Sequence, residues 1–241
     1  MAEKAIRIGK DLSKFKERVK ECLPDNNLEA CFTCGTCSGG CPATGLEDMD
    51  PRKFVRMVAL GLDEEVCSTP WVWMCSMCQR CIYACPMKVD IPRMVYLARE
   101  TWPRDQRPKG IIGSCDMALK HDTCSAMGAS EDDFKFVVED VLEEVRATQP
   151  GFENLQAPID KKGAKYVLNQ NSREPVTEPD EMVPLWKILH IVGADWTYAS
   201  KGWGAENYCM FLGDDEAWKH IVEVKAKAVD DLGAEFWLNT E

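Results

Sequence analysis

Two stretches of the chain repeat one cysteine spacing: CFTCGTCSGGCP at 31–42 and CSMCQRCIYACP at 75–86. Each reads C-x2-C-x2-C-x3-C-P, and together they take eight of the thirteen cysteines. This is the iron–sulfur run in which the fourth cysteine serves the other cluster of a pair. Three thiolates at two-residue gaps can wrap a loop around one cluster. The fourth does not curl back with them, because a residue before proline is driven out of the right-handed helical region. Cys41 precedes Pro42 and Cys85 precedes Pro86. The spacing therefore predicts crossed ligation of two [4Fe-4S] clusters. Cys31, Cys34, Cys37 and Cys85 take one; Cys75, Cys78, Cys81 and Cys41 take the other. Zinc ribbons pair C-x2-C with long spacers and need neither a third cysteine nor a closing Cys-Pro.

Gly35, Gly39 and Gly40 lie in the first run, where glycine allows close approach or positive φ. The second run carries Gln79 and Arg80 instead, so the two clusters are expected to differ in potential. Met74, Met77, Met87, Trp71 and Trp73 flank the second run and read as core or as a shield against water. Lys88 and Arg93 read as solvated, or as charges facing a cluster or partner.

Composition excludes several function classes. Among 241 residues the net charge is −11, which opposes binding to a phosphate backbone or an anionic membrane. No apolar run approaches the ~20 residues of a membrane span. The N-terminal stretch MAEKAIRIGKDLSKFKERVK is charged throughout and does not read as a secretory signal. A cytoplasmic location is expected, with membrane association only through a partner. In a reducing compartment the cysteines read as metal ligands rather than as a disulfide framework.

The segments around the runs are helical in pattern. In DMDPRKFVRMVALG, Asp50 caps, Pro51 takes the first helical position and Gly61 closes, with Phe54, Val55, Val58 and Ala59 as the apolar stripe. STPWVWMC opens a short helix capped by Ser68 or Thr69, and DIPRMVYLARETW a further one capped by Asp90. Leu12, Phe15, Val19 and Cys22 share a face of an N-terminal helix. Of the remaining cysteines, Cys22 and Cys67 read as small buried hydrophobes. Cys115 and Cys124, with His121 between them, allow a third metal site but match no ligand spacing. Cys209 stands alone, and His190 and His220 read as structural.

With those residues in view, the stretch from about 30 to 95 resembles the C subunit of heterodisulfide reductase, an α-helical ferredoxin. CGTCSGGCP, the helical spacer and PWVWMCSMCQRCIYACPMKVDIPRMV carry the likeness. It is also similar to the iron–sulfur subunits of succinate, anaerobic glycerol-3-phosphate and glycolate-oxidising dehydrogenases. The resemblance implies an electron relay between a flavin or membrane partner and a sulfur-handling site. Its implied partners are an A-like flavoprotein and a B-like Cys-Cys-Gly subunit. A dehydrogenase subunit is the alternative, and structural clusters in an interaction scaffold a second one. No catalytic residue is assigned to this chain.

The second half changes texture. EDDFKFVVEDVLEEVRATQPG reads as a helix stopped by Pro150-Gly151, and NLQAPIDKKG as a loop. AKYVLNQ, DWTYA and AEFWLNTE read as strands alternating with the helices MVPLWKILHIVGA and DDEAWKHIVEVKAKAVDDLG. That alternation predicts a small parallel α/β layer. No G-x-G-x-x-G follows the first strand, so no ordinary dinucleotide site is expected. PLWKILHIVGADWTYASKGWGAENYCMFLGDDEAW is similar to the segment after the clusters in fused D-type heterodisulfide reductase and sulfite-reduction subunits. Those carry Cys-Cys-Gly motifs, and this chain has none. Disulfide reduction by this chain alone is therefore not expected.

The expected class is α+β: an all-helical dicluster module followed by a small parallel α/β layer. The expected divisions are 1–27 (amphipathic helix), 28–110 (dicluster module), 111–163 (connector) and 164–241 (α/β segment). Because Phe236 and Trp237 are adjacent in the last strand, both of its faces are expected to need cover. The strand runs to Glu241, which predicts an assembly surface or a continuation of the chain.

Overall fold

The computed structural model describes residues 14–204 and 207–240. The chain divides into two compact units, Met1–Pro108 and Lys109–Glu241.

The first unit is all helical among its described residues. Its helices are α1 (Lys14–Cys22), α2 (Thr36–Gly39), α3 (Pro51–Leu60), α4 (Asp63–Ser68), α5 (Arg80–Ala84) and α6 (Ile91–Glu100). Helix α3 begins and ends where its own residues dictate. The Asp50 carboxylate accepts a hydrogen bond from the Lys53 amide, Pro51 occupies the first turn, and Gly61 closes the helix at φ 72°. Its Phe54, Val55 and Val58 are buried. They meet Phe15 and Val19 of α1, Trp71 and Val72, and Met94, Val95 and Leu97 of α6 in one core. Fully burying each such side chain contributes about 1.5–3 kcal/mol. Helix α6 is likewise capped by Asp90, which accepts from the Arg93 amide. PWVW forms a single 3-10 turn, with the Thr69 hydroxyl accepting from the Trp71 amide. Leu12 of the N-terminal stripe lies outside the described residues. Cys22 is exposed and Cys67 half-buried, which corrects the reading of both as buried. The stripe on α1 is spent on Phe15 and Val19, and Cys22 is the last residue of the helix.

Asp50 also accepts from the Ser38 hydroxyl at 2.7 Å, tying α3 to the first cysteine run. Burial pushes its carboxyl up. The Lys53 amide and the Ser38 hydroxyl outweigh that, and the net pKa lies below the usual carboxylate value. A carboxylate with a depressed folded pKa stabilises fully above its unfolded pKa of ~3.9 and loses that contribution as pH falls through the folded value. Asp50→Ala is expected to cost about 1 kcal/mol in denaturant unfolding at neutral pH. The difference from wild type should shrink in acid below the ordinary carboxylate range. An equal deficit at both pH values would contradict the capping account.

The second unit contains α7 (Lys109–Lys120), α8 (Glu131–Thr148), β1 (Tyr166–Asn169), α9 (Arg173–Thr177), α10 (Val183–Ile191), β2 (Trp196–Tyr198), α11 (Tyr208–Leu212), α12 (Asp215–Leu232) and β3 (Phe236–Asn239). The strands form one parallel sheet in the order β2-β1-β3. Tyr166 pairs with Trp196 on one side and Phe236 on the other. Helix α8 opens on a capping box between Ser130 and Asp133. It buries Phe134, Val138, Val141, Leu142 and Val145, a helical stripe, against Trp186, Tyr198 and Trp203. The Phe134 ring stacks on Trp203 at 4.5 Å. The Trp186 indole donates to the Tyr198 hydroxyl at 2.7 Å, so both polar tips are satisfied inside the core. The α+β class expected from the sequence is what the chain adopts. Strand β3, however, is an edge strand among the described residues, with Phe236 51% and Trp237 38% exposed. β3 is hydrogen-bonded to β1 along one side, and Phe236 and Trp237, on opposite faces, are both exposed, while Leu238 packs against the core.

Candidate metal centre

The two cysteine runs fold alike. In each, the second cysteine lies between two residues with left-handed backbone: Thr33 (φ 62°) and Gly35 (φ 85°) around Cys34, Met77 (φ 55°) and Gln79 (φ 62°) around Cys78. The residue after that cysteine caps a short helix that carries the third one, Cys37 on α2 and Cys81 on α5. Glycine supplies this conformation freely in the first run. In the second, Gln79 adopts it without that freedom. Non-glycine residues there cost about 1–3 kcal/mol each and persist where the surroundings over-determine them. After α5 the chain extends: Cys85 has φ −75° and ψ 121°, the geometry imposed by a following proline. Gly40 marks where the runs meet. The Arg80 guanidinium donates to the Gly40 carbonyl at 3.1 Å, and a Cβ on Gly40 would stand 3.4 Å from the Arg80 chain.

Two cavities of similar size result. One is lined by Cys75, Cys78, Cys81 and Cys41. The other is lined by Cys31, Cys34, Cys37 and Cys85. Each gathers three thiols of one run and the last of the other. Ile91, at the start of α6, lines both, so the cavities share a wall. Trp71 lines the first cavity and is also core: it is 1% exposed, and its indole donates to the Ala43 carbonyl at 2.9 Å. Met74 lines the same cavity and Met87 the other. Lys88 and Arg93 are exposed; Lys88 donates to the Tyr83 carbonyl and Arg93 lies over the Tyr96 ring.

The electrostatics follow this grouping in the main. Burial pushes the Cys81 thiol up to about 12, helped by repulsion from Cys75 and Cys41 and, last, from Cys37 of the other set. Burial raises Cys37 too, with Cys31 and Cys85 as its repelling neighbours. Cys75 is raised by burial, opposed by hydrogen bonding to the Met77 amide and by the positive charge of Arg99. Thiols crowded in this way resist ionising on their own. Iron reverses that logic, since ligation requires thiolates and releases their protons. No three His, Cys, Asp or Glu side chains among the described residues close on a single metal ion. A [4Fe-4S] cubane spreads its thiolates over separate irons, and four thiols around an apolar-walled hollow fit that group.

Other cysteines fall elsewhere. Cys115 of α7 and Cys209 of α11 are joined as a disulfide, with Cα atoms 5.0 Å apart. Cys209 is thus paired, a correction to its reading as solitary, and the same bond takes up Cys115. Cys124 is buried in the same small core, with Leu212 and Ile221. Arg99 carries no signal in the sequence, yet it is buried in the last turn of α6 and reaches the second run.

Comparisons with known proteins agree with this geometry. Residues 27–89 match the 4Fe-4S dicluster domain family. The C subunit of the H2:CoB-CoM heterodisulfide,ferredoxin reductase of Methanothermobacter marburgensis is 41% identical over 97 residues, covering 40% of this chain and 52% of that protein. The iron-sulfur C subunit of the CoB–CoM heterodisulfide reductase of Methanopyrus kandleri is 37% identical over 89 residues, covering 37% of this chain and 46% of that protein. A protein of Archaeoglobus profundus, named for its likeness to the heterodisulfide reductase C subunit, is 29% identical over 92 residues, with 36% and 48% covered. The chain spans about half the length of the curated relatives it matches. Among the described residues no helix is long and apolar enough to cross a membrane. Residues 27–89 thus match a 4Fe-4S dicluster domain, and over part of its length the chain is homologous to heterodisulfide reductase C subunits.

Proposed function

We propose that this chain is an electron-transfer subunit working through two [4Fe-4S] clusters in a heterodisulfide-reductase-like complex of sulfur metabolism. Cys31, Cys34, Cys37 and Cys85 hold one cluster, and Cys75, Cys78, Cys81 and Cys41 hold the other. The observation that carries this reading is the pair of adjoining cavities, each lined by one of those two sets. A bound cluster supplies a one-electron couple. The chain's own residues do the rest. Crossed fourth ligands bind the two loops to each other, and Ile91 keeps the sites adjacent. Trp71, Pro51 and Val55 exclude water from their inner walls. The outer rim is open, with Cys34 and Cys78 exposed, which suits exchange of electrons with a docked partner.

The names of the relatives support a role as one subunit among several. An A-like flavoprotein and a B-like subunit bearing Cys-Cys-Gly motifs are the partners we propose. Catalysis on a disulfide is assigned to the partner, since this chain has no such motif. Anaerobically purified protein is expected to carry about eight iron and about eight sulfide per chain. Dithionite should reduce both clusters, giving two interacting EPR signals. Stoichiometric zinc without acid-labile sulfide would end this reading.

A further inference from the structure

Helix α6 presents an arginine where the surrounding core is apolar. Arg99 is 1% exposed. Its Nε and one Nη donate to the Val72 carbonyl at 2.9 and 2.7 Å. The same Nη donates to the Cys75 carbonyl, and the other to the Met77 sulfur at 3.4 Å. The guanidinium also lies 5.4 Å from the centre of the Trp73 ring. All these contacts are to the 3-10 turn and the loop that deliver Cys75 and Cys78. The cation is therefore fixed beneath one cysteine set. Its counterpart at the other set is Arg52, which approaches Gly35 from an exposed position. Arg80, Lys88 and Arg93 are exposed as well.

Four thiolates outweigh the positive charge of a [4Fe-4S] core, and reduction adds one more negative charge. A fixed cation nearby favours the reduced form. Its effect is several-fold stronger in the protein interior than at the surface, where water and salt screen it. Resting on the two-cluster reading above, we propose that Arg99 holds the cluster of Cys75, Cys78, Cys81 and Cys41 at a higher reduction potential than the cluster of Cys31, Cys34, Cys37 and Cys85. Arg99 is a positioning and charge-setting residue, not a ligand. It makes the second site the one on which an electron entering the pair comes to rest.

The test is an EPR-monitored potentiometric titration of the full chain. Cys31→Ser identifies the wave of the first site, because Cys31 serves that site however the fourth cysteines cross. The wave it removes should be the lower one; loss of the higher wave overturns the proposal. Introduced alone, Arg99→Gln should lower the second-site wave by at least about tenfold in its reduction equilibrium, about 59 mV for one electron. The first-site wave should stay in place. Arg99→Lys keeps the charge while losing the planar fork, and it should recover most of the shift. A Gln variant with unmoved waves, or a Lys variant that falls as far as Gln, refutes the charge assignment. If Gln prevents the second cluster from assembling, native protein decides by itself. The gap between its two waves should survive 1 M KCl, where the Debye length is ~3 Å. Collapse of the gap would trace it to surface charge and overturn the role of Arg99. Failure to find two clusters would appear separately, as iron content.

Discussion

Cys85→Ser is expected to strip the cluster built on Cys31, Cys34 and Cys37, and to leave the cluster of its own run in place. Iron should fall from about eight to about four per chain. Cys41→Ser should do the reverse. Cys85 cannot turn back towards Cys75, Cys78 and Cys81, because Pro86 holds it extended at φ −75°, ψ 121°. That conformation brings it to the cavity of the first run, where it is one of the thiols opposing ionisation of Cys37. The comparison that decides is spectral identity. Cys85→Ser should leave the same residual EPR signal as Cys31→Ser, and Cys41→Ser the same as Cys75→Ser. If Cys85→Ser instead matched Cys75→Ser, each run would be ligating with its own fourth cysteine and the crossed assignment would be wrong. Serine can retain a weak oxygen ligand, so alanine at the same positions should deepen the loss without changing its pattern.

What is legible in the sequence is whatever local chemistry decides. Helix α3 runs from Pro51 to Leu60 because Asp50, Pro51 and Gly61 bracket it, and all three are visible in one short stretch. Helix α6 and the alternation of β1, α10, β2, α12 and β3 are legible for the same reason. The gathering of the motif thiols around two hollows is legible because their spacing and the two Cys-Pro pairs encode geometry directly. Features decided by distant residues are not. Gln79 takes the backbone conformation of Gly35, yet nothing in the side chain of glutamine announces it. Cys115 and Cys209 are 94 residues apart, so their pairing has no spacing signature. Nothing in the sequence sets Arg99 apart from the other residues of its helix. It is buried because α6 is covered almost all round, from Ile91 to Arg99, and only the fold reveals the carbonyls awaiting it. Strand β3 carries two large aromatics side by side, and its place at the edge of the sheet among the described residues is set by the strand order, not by its own residues.

Removal of iron is expected to unfold the first unit while the second stays intact. In the first unit, Cys31, Cys37, Cys41, Cys75, Cys81 and Cys85 all pack against the core, so the loops that hold them form part of its wall. Those loops contain Thr33, Met77 and Gln79 in left-handed backbone. At about 1–3 kcal/mol for each such residue, their combined cost is a large part of the roughly 5–15 kcal/mol by which a domain is stable. Crowded thiols add repulsion once deprotonated, as for Cys81 beside Cys75 and Cys41. Metal ligation offsets these terms, and in small metal-bound domains binding free energy becomes folding free energy. The second unit has its own core around α8, Trp186 and Trp203, a three-stranded sheet and a disulfide, none of which involves the eight motif cysteines. Oxidative removal of iron with a chelator, followed by hydrogen exchange, separates the two. Amides of α3 and α6 should lose protection, whereas those of α8, β1 and α12 should keep it. In a thermal scan the transition belonging to the first unit should disappear. If α3 and α6 remained protected without iron, the apolar core of Phe54, Trp71 and Met94 would be sufficient by itself. The left-handed loop residues would then be held by packing, not by the clusters.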